Sequence, residues 1–175
     1  MKTLNEYSEL ILGWAADRNL IEGATPTAQF DKLFEENGEH AGAAARMNSR
    51  EGDKYLLMAK DAIGDTFVVT TILAAQKGLS VPLAKALTYT GSDTLCSTVR
   101  LSIYAEIGHL VVLVDKGGLN SDIEFTAGEI AYLLRRAAED LGSTLEECLE
   151  LVWNEIKDRT GRMIDGVFVK EADLA

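Results

Sequence analysis

From Asp65 the chain continues Thr-Phe-Val-Val-Thr-Thr-Ile-Leu-Ala-Ala, ten residues without a charge directly behind a carboxylate. Such a run has to lie in a core, so the acid that opens it stands at the core's edge and needs a partner. Read as helix, Asp61 and Asp65 fall one turn apart, at i and i+4. The stretch Lys32-Leu33-Phe34-Glu35-Glu36-Asn37-Gly38-Glu39-His40 repeats the arrangement, with Glu36 and Glu39 at i and i+3 and Glu35 and Glu39 at i and i+4. Like charges at that spacing cost an isolated helix roughly 0.2–0.5 kcal/mol per pair. Stacked acids therefore point to a fully solvated face or to a cation that neutralises them, and the core run behind Asp65 favours the cation. Mg2+ and Mn2+ take oxygen ligands, and Mg2+ commonly shares protein carboxylates with substrate phosphates.

Helical periodicity accounts for most of the remainder. Leu4, Tyr7, Leu10, Ile11, Trp14 and Ala15 recur at three- and four-residue steps, predicting an amphipathic helix to about Arg18. After a turn at Asn19 to Gly23, Thr25 as N-cap and Pro26 at the first helical position open a second helix to about Met47, which carries the first acidic cluster. A third runs from Glu51 through both aspartates to Gln76 and ends at Lys77-Gly78. Pro82 opens a short piece to Tyr89, and a fourth long helix is expected from Asp93 to Val114. Capping boxes at Thr126/Glu129 and Thr144/Glu147 open two more, to Leu141 and Asp158. Within the tail, Val167-Phe168-Val169 predicts a short strand or an extended arm. The class is all-α: one domain over residues 1–175, with a core over 4–160 and a tail over 161–175. Ala62-Ile63-Gly64-Asp65 and Glu106-Ile107-Gly108-His109 look like echoes of one another, which predicts two related helices packed as a pseudo-symmetric pair.

A formal net charge of −11 argues against a sequence-independent grip on nucleic acid and against docking on anionic membranes. It admits an anionic small ligand where metals and a few local Lys or Arg supply positive charge. Cys96 and Cys148 sit inside apolar helical patterns and read as buried thiols rather than a disulfide. The start at Met1 lacks a basic-then-apolar leader, and no apolar run approaches the ~20 residues of a membrane span, so a cytoplasmic protein is expected.

The acid spacing resembles that of the all-α nucleoside triphosphate pyrophosphohydrolases of the MazG type, whose pattern is E-E-x-x-E on one helix and E-x-x-D on the next. Glu35, Glu36 and Glu39 match the first part and Asp65 the final acid. The penultimate acid is replaced by Ala62, and the nearest carboxylate is Asp61, one residue earlier. The resemblance spans about Leu4 to Gly78. More loosely it reaches Glu146 to Met163, where Asn154-Glu155-Ile156-Lys157-Asp158-Arg159 is similar to the family's helix near substrate phosphates. It implies two or more Mg2+ or Mn2+ ions held by Glu35, Glu36, Glu39, Asp61 and Asp65, with Glu35 or Glu36 as general base for the attacking water. Phosphoryl chemistry of this kind is mostly positioning and charge neutralisation, which carboxylate-held metals provide. The implied reaction takes a (deoxy)nucleoside triphosphate to the monophosphate and pyrophosphate. Lys60-Asp61-Ala62-Ile63-Gly64-Asp65-Thr66 looks like a phage-borne branch, which points to a purine, dGTP first. The resemblance also implies a homodimer or a dimer of dimers, with the apolar helices behind Asp65 and His109 as the interface.

Other residues read two ways. Lys157, Arg159 and Arg162 are either cations at a helix C-terminus, worth about 0.3–1 kcal/mol, or a grip on substrate phosphates. Lys32 pairs with Glu36 or joins that grip. Trp14 is core or a stacking face for a nucleobase, and Gln29 and Asn154 are able to read a base. Glu106-x-x-His109 has the spacing of a ferritin-like di-iron ligand pair, but that design needs a second such pair. The other histidine, His40, directly follows Glu39, so His109 is expected as a partnered histidine at a helix interface. There is no Gly-rich phosphate loop. The competing function is a non-catalytic helical oligomeric interaction protein with a degenerate metal site, for which Ala62 is the best support.

Overall fold

The computed structural model describes residues 1–83 and 98–174. Among them are six helices: α1 (Leu4–Asp17), α2 (Pro26–Ala44), α3 (Gly52–Gln76), α4 (Val99–Lys116), α5 (Asn120–Asp140) and α6 (Leu145–Ile156). A hairpin of β1 (Gly161–Ile164) and β2 (Val167–Lys170) follows, then a single 3-10 turn, Glu171–Asp173. The fold is all-α. No helix of the described residues is long and apolar enough to cross a membrane.

Local chemistry sets the helix starts. Thr25 Oγ1 accepts the Ala28 N–H at 3.1 Å, with Pro26 at the first helical position. Thr3 with Glu6 and Thr144 with Glu147 form reciprocal capping boxes. The uncharged run of α3 forms the spine of the core, with α1, α2, α5 and α6 packed on it. Its threonines are tolerated there because Thr66, Thr70 and Thr71 donate to the carbonyls of Ala62, Thr66 and Phe67 at 2.7, 2.7 and 2.9 Å. The apolar run behind Asp65 is consequently used up inside the chain and is not the subunit interface expected of it.

Four further expectations are corrected. Helix α4 begins at Val99 rather than Asp93, because Thr98 is extended (φ −139°, ψ 151°) and its Oγ1 accepts the Leu101 N–H at 3.3 Å. The rest of that expected start, the piece after Pro82-Leu83 and Cys96 lie outside the described residues. Thr126 starts no helix; it is 1% exposed inside α5, which begins six residues earlier and carries Ile123 into the core. Helices α3 and α4 are no pseudo-symmetric pair, since α4 packs chiefly on α5. Their glycines also differ in role: a Cβ on Gly64 would meet the Cys148 carbonyl oxygen at 2.7 Å, whereas one on Gly108 would meet nothing within 4 Å. Finally, the His109 side chain is 56% exposed, with Nδ1 3.8 Å from Glu106 Oε2, so it lies on the surface of the chain. Cys148 is a buried free thiol, as expected, and burial pushes its pKa up to about 11.

The tail forms the short strand that the sequence allows at Val167-Phe168-Val169, as half of a hairpin that folds back on the core. Asp165 (φ 49°) and Gly166 (φ 82°) supply the two left-handed residues of a tight hairpin turn. Met163 and Phe168, opposite each other in the register, pack against the core. The turn is held by the Gly166 carbonyl, which accepts the Thr25 N–H at 3.1 Å.

Candidate functional site

Helices α2 and α3 pack along each other and bring the two acidic clusters together. Glu36 is 3% exposed, and the Lys32 ammonium one turn before it lies 2.7 Å from its Oε1. The same ammonium donates to Glu35 Oε2 at 2.9 Å, while Glu35 itself is 56% exposed. Burial pushes the Glu36 carboxyl above the ordinary carboxylate range, although Lys32 pulls the other way. Burial also works against the charge of Lys32, but Glu36 and Glu35 outweigh it and raise its pKa.

Across from them on α3, burial pushes Asp65 up to about 7, with the negative charges of Glu36 and then Asp61 adding to the shift. Asp61 is raised by burial, then by Glu155 and Glu39, with Arg159 and Lys32 opposing. Glu36, Glu39, Asp61 and Asp65 thus form one electrostatic group, opposed by Lys32 and, at Asp61, by Arg159. The position where the resembled pattern has its penultimate acid, Ala62, is 1% exposed and belongs to the core side of α3. An oxygen-only donor set with too little positive charge suits a hard divalent cation in chemistry. As the side chains stand, with Lys32 bonded to Glu36 and Glu35, no three His, Cys, Asp or Glu donors among the described residues converge to hold one.

Beside the acids lies a cleft of about 140 Å³ that reaches from Asp65 and Lys32 to Trp14, Gln29, Arg159 and Phe168. The Trp14 indole donates to the Ile156 carbonyl at 2.8 Å, and the Arg18 guanidinium lies 4.8 Å from its ring centre. Phe168 meets it edge-on, with centroids 6.4 Å apart at 62°. Trp14 is therefore both core and cleft wall. Of the expected substrate residues, Trp14, Gln29, Lys32 and Arg159 come together here. Asn154, on the last turn of α6, and Lys157, its C-cap, are exposed, and the Lys157 ammonium donates to Asn154 Oδ1 at 3.0 Å. Arg162 is exposed on β1, opposite Val169. None of these three lines the cleft.

Sequence reasoning missed two contributions. Glu155, which adds negative charge at Asp61 and Asp65, reads in sequence as the ordinary i,i+4 partner of Arg159, and it is indeed paired with it. The hairpin, which brings Val167, Phe168 and Lys170 to the cleft, was signalled by Asp165-Gly166 between two short apolar runs.

No protein-family model matches the chain, and no solved structure matches it. It is similar to an uncharacterized 18.2 kDa protein of the rep-hol intergenic region of Haemophilus phage HP1 (strain HP1c1), at 42% identity over 85 residues. The match covers 49% of this chain and 48% of that protein, so it spans about half of each.

Proposed function

We propose that the chain hydrolyses a (deoxy)nucleoside triphosphate to the monophosphate and pyrophosphate, with a purine, dGTP first, as substrate. The observation that carries this reading is Asp65: a carboxyl pushed to about 7 by burial and by facing acids, opening on a cleft with aromatic walls. A bound Mg2+ or Mn2+, held by carboxylates from Glu36, Glu39, Asp61 and Asp65, would supply positive charge to the phosphate oxygens. The chain's own residues do the rest. Glu36, made more basic by burial, takes the proton of the attacking water, with Glu35 as the alternative. Lys32 steadies that carboxylate and is free to turn toward phosphate once other charge neutralises the acids. Arg159, at the cleft, meets the triphosphate, and Trp14 bounds the base. The phage relative is compatible with a phage-borne role.

The test is direct. Each nucleotide is incubated with the protein and Mn2+, with and without an inorganic pyrophosphatase, and phosphate is measured. Phosphate that depends on pyrophosphatase supports the reading; phosphate without it indicates stepwise phosphatase action, and silence with every nucleotide defeats it. Glu36→Gln is expected to lower turnover by about 10²-fold or more, the scale of a general base, with unchanged helix content. A second reading, the non-catalytic assembly module, draws on the exposed apolar side chains of α4, Leu101 at 44% and Val112 at 55%.

A further inference from the structure

We infer that the C-terminal hairpin is a working part of this site: Phe168 on β2 and Trp14 on α1 form one corner of a slot in which the Gln29 amide pairs with the edge of a nucleobase. The inference rests on the reading of the cleft as a nucleotide site.

Gln29 is 7% exposed and lines the cleft; among the described residues its amide has no hydrogen-bond partner, and its polar atoms stay open to the solvent of the cleft. An amide that keeps cleft water instead of a protein partner holds its donor and acceptor ready for a ligand that displaces that water. Two other buried amides spend their nitrogens on the fold, while Asn37 Oδ1 and Gln76 Oε1 are buried without a partner among the described residues. Gln76 Nε2 donates to the Leu20 and Ala24 carbonyls at 2.9 and 3.1 Å, and Asn37 Nδ2 to the Leu33 carbonyl at 2.6 Å. Gln29 has no such task, and its donor and acceptor stand side by side, matching the adjacent donor and acceptor on a base edge. The floor beside it is apolar, with Val68 and Ile72, and the two aromatic rings touch edge-to-face, so that they form a corner of the cleft rather than a gap between them. A flat ring with a polar rim fits that corner, and Lys32 and Arg159 at the same cleft suit the phosphates such a ring carries.

The hairpin is tied to the helix turn that presents Gln29. The Gly166 carbonyl accepts the Thr25 N–H, and the Thr25 carbonyl accepts the Gln29 N–H at 3.3 Å. A Cβ on Gly166 would lie 2.8 Å from Thr25 Cγ2, so the turn sits against the start of α2 as closely as a glycine allows. Arg18 fixes the approach to β1 by donating to the Arg159 carbonyl at 2.8 Å. Hairpin and amide are therefore placed as one unit.

The experiment uses the full chain in EDTA and measures binding by calorimetry of the four deoxynucleoside monophosphates and of deoxyribose 5-phosphate, which lacks a base. Monophosphates are expected to bind and the abasic phosphate to bind at least 10-fold more weakly. Gln29→Leu and Phe168→Leu are expected to weaken the monophosphates about 10-fold, within the span that loss of base stacking or of a paired base edge produces. Melting temperatures should stay within a few degrees, and Phe168→Tyr should restore binding. Equal binding of the abasic phosphate, no monophosphate binding, or wild-type affinity in both Leu variants overturns the inference. Turnover with Mn2+ on the same proteins separates the two claims. Triphosphate cleavage with unaltered KM and base ranking in both variants defeats the base slot and leaves the hydrolase. Base-dependent monophosphate binding without any cleavage leaves the slot and defeats the hydrolase.

Discussion

At the scale of single residues, Asp65 and His40 bend stability with pH in opposite directions. Burial pushes the Asp65 carboxyl up to about 7 in the folded chain, against an ordinary 3.8. Between those values the unfolded chain has already released a proton that the folded one keeps, so stability falls as pH rises through the window and levels off above it. In EDTA, Asp65→Asn is expected to gain about 1–4 kcal/mol over the wild type at pH 8 and little at pH 4, from urea unfolding. An equal difference at both pH values would contradict the raised carboxyl. His40 is 5% exposed, and burial, with Arg100 adding, lowers its pKa to about 4 from 6.5. Here the unfolded chain binds the proton first, so stability is lost as pH falls through 6.5 and the loss levels off below about 4. His40→Gln is expected to flatten this acid-side slope. Should the slope persist in that variant, another group is responsible.

Helix contacts decide which glycines matter. Gly64 lets α6 approach α3 until the Cys148 carbonyl and Val152 Cγ2 both stand 2.7 Å from where a Cβ would be. Gly64→Ala is expected to destabilise by about 1–3 kcal/mol, the usual cost of overpacking. Gly108→Ala, with nothing in its way, is expected to stabilise α4 by up to about 1 kcal/mol through helix propensity. Thermal melts of the two proteins should move in opposite directions, and parallel shifts would revive the idea of equivalent helices. The caps behave more uniformly: Thr144→Ala removes the Oγ1 that accepts the Glu147 N–H at 3.1 Å and is expected to cost about 1 kcal/mol.

For the molecule as a whole, an exposed apolar stripe lies on α4, where Leu101 and Val112 stand three turns apart with Ala105 and Gly108 between them. The proposed self-association predicts a light-scattering mass near twice or four times the 19.0 kDa chain, falling to the monomer in Leu101→Glu/Val112→Glu. A monomeric wild type would end that proposal. Much of the architecture is legible in local patterns. Thr25-Pro26, the Thr144/Glu147 box and the three- and four-residue steps of α1 predict elements that form as expected, because caps and amphipathic faces depend on near neighbours. The Thr126 box misleads for the same reason: its residues satisfy a local rule that an upstream turn of helix, anchored by Ile123, overrides. One-turn spacing by itself put Glu36 and Glu39 on one face and Asp61 and Asp65 on another. Only the packing of α2 on α3 set them against each other, and only the return of a hairpin from the far end of the chain brought Phe168 beside Trp14. Contacts across more than a hundred residues leave no local period to read, since they are decided by which apolar faces bury together.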